Sequence, residues 1–94
     1  MANGYRVIER NWRCTAGELD LVVARAGTIV FVEVKARAGD RFGGAVAAVG
    51  WDKQRRVRRL AAQWLYDHPG EHGEVRFDVV AVTGTHIEVH TAAF

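Results

Sequence analysis

Glu18-Leu19-Asp20 and Glu33-Val34-Lys35 set three carboxylates and one ammonium into two apolar segments. Side chains alternate faces along a strand, so Glu18 and Asp20 share a face, as do Glu33 and Lys35. Their neighbours Leu19, Leu21, Val32 and Val34 point to the other face, which suits burial. Ala26-Gly27 lies midway between the segments. A two-residue turn there pairs residues whose numbers sum to 53. Asp20 then faces Glu33, and Glu18 faces Lys35, with Cβ atoms about 4.5–5.5 Å apart. A three-residue turn would put Asp20 and Glu33 on opposite faces.

Two facing carboxylates repel, so both stay ionised only beside a cation. Hard oxygen donors at this density suit Mg²⁺ or Mn²⁺, held by Asp20, Glu33 and the backbone carbonyl of Val34. Such a cation would polarise a phosphate and activate a water, and Lys35 would stabilise the developing negative charge. The same charges also fit a solvated strand face with an ordinary Glu18–Lys35 ion pair. The context Val-Phe-Val-Glu-Val-Lys weighs against that, because a charge in an apolar strand is costly without a partner or a role. The pattern alone leaves both readings open.

The elements that must position these residues are readable in outline. Tyr5 to Trp12 reads as a first strand. Glu18 to Arg25 and Thr28 to Lys35, rich in Val, Ile, Leu and Phe, read as a hairpin. Ala38 to Gly50 holds four glycines and reads as a loop. Trp51 to Tyr66 is the one clear helix, with Val57, Leu60, Ala61, Trp64 and Leu65 in one apolar stripe. Gly50 suits its N-cap, Asp52 its first turn, and Pro69-Gly70 its end. Val75 to Thr83 and His86 to His90 read as two further strands, turned at Gly84-Thr85. One helix covers only one face of such a sheet.

Size and composition narrow the class. The chain has 94 residues, enough for one domain. Its 49% hydrophobic and 26% charged residues are ordinary for a globular protein. A net charge of +2 is compatible with a nucleic-acid partner. The lone Cys14 forms no internal disulfide and reads as a small buried residue. No apolar run approaches the roughly 20 residues of a membrane span, and the N-terminus has no apolar signal core, so a cytoplasmic location is expected.

Several further residues carry expectations. Lys53 falls on the inward stripe at the helix start, where it either reaches the carboxylates or a phosphate, or snorkels to water. Gln54 lies beside it. Arg55, Arg56, Arg58 and Arg59 are the densest basic cluster, suited to phosphate contacts or to a solvated helix face. Arg37 and Arg41, with Phe42, would track a nucleic-acid backbone beyond Lys35. Asp78 is expected to pair with Arg76 in a structural role. His68, His72, His86 and His90 show no zinc spacing and read as structural or surface residues. Trp51 and Trp64 read as core or sheet-covering residues, Trp12 as partly exposed.

An Asp, twelve intervening residues and Glu-x-Lys resembles the PD-(D/E)xK nuclease superfamily, and the archaeal Holliday-junction resolvases within it. Gly4-Tyr5, Arg10-Asn11-Trp12-Arg13, Gly17 to Val22, Val30 to Arg37, Lys53, Ala62 to Leu65, Arg76 to Val80 and Ala93-Phe94 resemble the YraN family. The resemblance implies a restriction-endonuclease-like α/β fold: a single endonuclease-like domain with a mixed β-sheet of about five strands and one main helix. It also implies that Asp20, Glu33 and Lys35 are the metal and catalytic residues, with Glu18 an accessory ligand. Family members carry an N-terminal helix before the Gly4-Tyr5 strand; only Met1-Ala2-Asn3 precede it here, so that helix is expected to be absent. Sheet surface left bare in this way would favour a homodimer. The expected function is a Mg²⁺- or Mn²⁺-dependent endonuclease acting on DNA, including branched or structured DNA. Arg37, Lys53, Gln54, Arg55, Arg56 and Arg59 would be its nucleic-acid contacts. The alternative is a non-catalytic nucleic-acid- or protein-binding module on the same fold.

Overall fold

The computed structural model describes residues 4–36, 49–70 and 73–94. Outside them lie residues 37–48 of the expected glycine-rich loop, with Arg37, Arg41 and Phe42, as well as His72 and residues 1–3.

Among the described residues, five strands and one helix follow in the expected order: β1 (Arg6–Cys14), β2 (Gly17–Arg25), β3 (Thr28–Ala36), α1 (Trp51–Asp67), β4 (Glu74–Thr83) and β5 (His86–His90). They form one mixed α/β sheet in the order β1-β2-β3-β4-β5. Neighbours are antiparallel except β3 and β4, which are parallel. A parallel pair needs a crossover, and α1 lies within it.

The β2–β3 hairpin turns on Ala26 (φ 49°) and Gly27 (φ 84°). Two left-handed residues make a turn whose twist matches the strands, which fixes a two-residue loop. The register from Arg25↔Thr28 to Leu21↔Val32 sums to the expected 53.

α1 buries Val57, Leu60, Ala61 and Trp64, and leaves Leu65 half-buried. These pack on Leu19, Val22, Ile29, Phe31 and Phe77 of the sheet. Phe31 meets Trp64 edge-on at 5.7 Å and stacks on Phe77 at 5.6 Å. Each such side chain contributes about 1.5–3 kcal/mol on burial. Gly17 adopts φ 144°, which L side chains rarely take, while a Cβ there would meet Leu60 Cδ1 at an ordinary contact distance of 3.4 Å. Trp12 and Cys14 pack at the edge of this cluster.

Trp51 departs from expectation. It is 71% exposed rather than core, because the helical repeat turns it away from the Val57–Leu60 stripe. The sheet face opposite α1 also departs in part. Val23, Val30 and Val32 are buried there among Tyr5, Val7, Leu21 and Val80. Ile87 and Val89 on β5 remain exposed. Among the described residues, no helix is long and apolar enough to cross a membrane.

Candidate active site at the fork between β2 and β3

The β2–β3 ladder stops at Leu21↔Val32, whereas β3 continues beside β4 to Ala36↔Val82. From Glu33 onward β3 is therefore paired, among the described residues, on the β4 side only. Asp20 fills the gap: its Oδ2 accepts the Val34 backbone N–H at 2.9 Å. A side-chain carboxylate thus replaces the next rung of the ladder.

The fork has a local cause in β2. Leu19 packs in the helix-side cluster, while Leu21 packs in the opposite one. Regular alternation would put both on one face, as expected from the sequence, so the strand rotates between them. Asn11, on the adjoining strand, has φ 50° at this level. A residue in the left-handed region breaks regular pleating and increases local twist. This rotation carries β2 away from β3 at Asp20.

Glu33 lies on the helix side of β3, opposite Val79, and is only 4% exposed. Lys53, in the first turn of α1, places Nζ 2.9 Å from Glu33 Oε1, with its own side chain 31% exposed. Of the two readings of Lys53, the one that reaches the carboxylates is the one observed. A buried carboxylate left alone is costly, and this cation satisfies it. Lys35 lies opposite Ala81, half-buried, with no ion pair or hydrogen bond among the described residues.

Glu18 is not where the extended hairpin register puts it. Its Oε2 accepts from Arg13 Nε at 2.6 Å, and Arg13 is its partner in the β1–β2 ladder. Because β2 and β3 have already parted, Glu18 pairs away from Lys35. Arg13 escapes notice when the first strand is taken to end at Trp12; continuing that strand to Cys14 brings it opposite Glu18.

The remaining expected contacts separate into two groups. Gln54 is used internally, its Nε2 donating to Val49 O at 3.0 Å. Arg55, Arg56 and Arg59 are exposed on α1. Arg58 lies over Phe77 at 4.8 Å and Phe94 at 5.5 Å, a cation–π role. Asp78 is structural, as expected: Arg76 donates to both its oxygens, at 2.9 and 3.0 Å, and Ala92 N donates to Oδ1. Arg76 also donates to Tyr5 OH at 2.8 Å. The Asp78 hydrogen bonds first, and Tyr5 second, hold the guanidinium pKa above its ordinary value. His68 stacks on Trp64 at 4.1 Å and donates Nδ1–H to Trp64 O at 2.8 Å.

Two carboxylates and the Val34 carbonyl are the donors the fork offers. Among the described residues, no cluster of three or more His, Cys, Asp or Glu side chains suits a metal ion. Asp20 Oδ1 and Glu33 Oε2 have no hydrogen-bond or ion-pair partner among the described residues. One or two carboxylates, with waters and substrate phosphate completing the shell, is the donor set Mg²⁺ accepts. By donor type alone, Asp20 and Glu33 match that set.

Residues 1–82 match the model of UPF0102, described as an uncharacterised protein family. The chain is 54% identical over 82 residues to a UPF0102 protein of Frankia alni, a span of 87% of this chain and 68% of that protein. It is 53% identical over 97 residues to a UPF0102 protein of Ralstonia nicotianae, covering 99% of this chain and 75% of the relative. A UPF0102 protein of Mycolicibacterium vanbaalenii is 54% identical over 79 residues, with 65% of its length covered.

Proposed function

The chain belongs to the uncharacterised protein family UPF0102, and for it we propose a divalent-metal-dependent endonuclease of the PD-(D/E)xK type acting on DNA, branched or structured DNA included. The observation that carries this reading is the Asp20–Val34 hydrogen bond at the end of the β2–β3 ladder. It ties one carboxylate to the backbone between Glu33 and Lys35, which supports reading the three residues of the motif as one site.

Asp20 Oδ1, Glu33 Oε2 and the Val34 carbonyl would hold Mg²⁺ or Mn²⁺. When bound, the cation supplies charge to a phosphate oxygen and acidifies a water. Hydrolysis adds the oxygen of a water to phosphorus, breaks one P–O ester bond and passes a proton of the water to the departing oxygen. Asp20 is oriented for its part by Val34 N–H, which holds Oδ2. Lys35, unpaired among the described residues, donates to the phosphate oxygen on which negative charge grows. Lys53 balances the buried Glu33 from the helix side. Arg55, Arg56 and Arg59 add phosphate contacts that carry no base information. Glu18, held by Arg13, is an accessory group at the rim.

One observation favours the second reading, a non-catalytic nucleic-acid- or protein-binding module. The Glu33–Lys53 pair already neutralises the buried carboxylate without a metal. A cleavage assay with Mg²⁺ or Mn²⁺ on duplex, flap and four-way-junction DNA separates the two. The nuclease reading expects cleavage that Glu33→Ala and Lys35→Ala each abolish. Binding without cleavage of any substrate, or cleavage that survives both substitutions, overturns it.

A further inference from the structure

Trp51, Arg55, Arg59, Ala62 and Tyr66 recur on α1 at steps of four, four, three and four residues. Such steps keep them on one stripe of a helix with 3.6 residues per turn. The stripe runs opposite the buried line of Val57, Leu60, Ala61 and Trp64. All five residues are exposed, Trp51 by 71% and Tyr66 by 84%. Folding gives no reason to hold two large aromatics on the water side of an amphipathic helix. The arginines alternate with them: the Arg55 guanidinium lies 5.9 Å from the Trp51 ring centre. At the other end, Arg59 and Tyr66 form one wall of an open groove of about 830 Å³, with Thr15 and Ala16 opposite. At about 1.5 Å per residue, the two aromatics stand about 22 Å apart along the helix.

We propose that this face of α1 binds single-stranded nucleic acid, with Trp51 and Tyr66 as stacking platforms and Arg55 and Arg59 as phosphate contacts between them. Charge and shape select that partner. Arg55, Arg56, Arg58 and Arg59 outnumber Asp52 and Asp67, the two acidic residues of α1, so the face suits a polyanion. Aromatic faces at this spacing bind bases that are unstacked, which a duplex does not offer. An apolar protein partner would need the aromatics contiguous, whereas arginines divide them. Trp51 and Lys53 both lie in the first turn of α1 but on opposite sides of it, Lys53 turned inward to Glu33, so this face and the fork share only the N-terminal end of the helix. Binding here does not require that the fork hydrolyse anything.

Fluorescence anisotropy with labelled oligo(dT), oligo(U) and a duplex of equal length, in EDTA, tests the surface apart from any metal. Trp51→Ala and Tyr66→Ala should each weaken single-strand binding about tenfold and leave duplex binding within about twofold. The Arg55→Gln/Arg59→Gln double variant should weaken both and reduce the salt slope by about one to two. Both aromatics are exposed, so thermal unfolding should not change and a lost fold cannot explain the result. The proposal is overturned if neither oligonucleotide binds, or if both aromatic substitutions leave single-strand affinity intact. It is equally overturned if Trp51→Ala acts only by splitting a dimer in sedimentation, which would assign the face to a second copy. Single-strand binding by the parent without metal-dependent cleavage of any substrate would support this proposal and count against the nuclease reading alone.

Discussion

Lys53 and Glu33 form an ion pair that spans the boundary between exterior and core: Nζ and Oε1 are 2.9 Å apart, the lysine 31% exposed and the glutamate 4%. Removing one partner of such a pair leaves the other charge uncompensated. Because Lys53 is partly solvated, Lys53→Met should destabilise the metal-free protein by about 1–3 kcal/mol, below the full range for a buried pair. Urea unfolding measures this. Adding Mg²⁺ should then stabilise the variant more than the parent, since a bound cation restores charge to Glu33. Equal stabilisation of both proteins would separate Lys53 from the proposed metal site.

Ala26 carries φ 49° in the β2–β3 turn, a conformation that asparagine and glycine adopt far more readily than alanine. Ala26→Asn should therefore stabilise the fold by about 0.5–1 kcal/mol. Gly27 (φ 84°) should respond in the opposite sense, with Gly27→Ala costing about 1–2 kcal/mol. Its carbonyl accepts from Gly73 N at 2.8 Å, so the turn also anchors the entry to β4. Thermal melts of the two variants should shift in opposite directions.

Asp78 accepts three hydrogen bonds, two from Arg76 and one from Ala92 N, while 5% exposed. Asp78→Ala strands the Arg76 charge and an amide together, and should cost about 3–5 kcal/mol in chemical unfolding. The raised Arg76 pKa sets the pH dependence. A group whose folded pKa is raised contributes stability that is complete below its unfolded pKa and lost only as pH rises through the folded one. Both values lie at or beyond the ordinary guanidinium range, so this contribution should stay constant up to strongly alkaline pH. A loss of Arg76-dependent stability between pH 7 and 10, compared with Arg76→Met, would contradict it.

Parity explains what was legible in the sequence and what was not. The Ala26-Gly27 turn and the alternating apolar residues around it specify register, so Leu21 was placed opposite Val32 from residue numbers alone. Extending the same arithmetic one rung tacitly assumes regular pleating. Asn11's left-handed backbone and the rotation between Leu19 and Leu21 break that assumption at Asp20. Asp20 consequently bonds Val34 N–H, and Glu18 turns to Arg13. On α1, four- and three-residue spacing identified the buried stripe, including the inward Lys53. The size and apolarity of Trp51 point to the core, but its angle on the helix turns it to solvent.

Asp20 offers two separable contributions, a hydrogen-bond acceptor for Val34 N–H and a negative charge for a cation. Asp20→Asn keeps an acceptor oxygen but removes the charge. It should leave unfolding free energy within about 0.5 kcal/mol of the parent, because surface-accessible substitutions that preserve a hydrogen bond change little. Asp20→Ala leaves the Val34 amide without its partner and should cost about 1–2 kcal/mol. Both variants should lose metal-dependent cleavage and show weaker Mn²⁺ binding by calorimetry. The asparagine variant is the decisive one, since its fold is intact. Parent-level Mn²⁺ affinity in Asp20→Asn would remove Asp20 from the donor set and leave it a structural bridge across the fork.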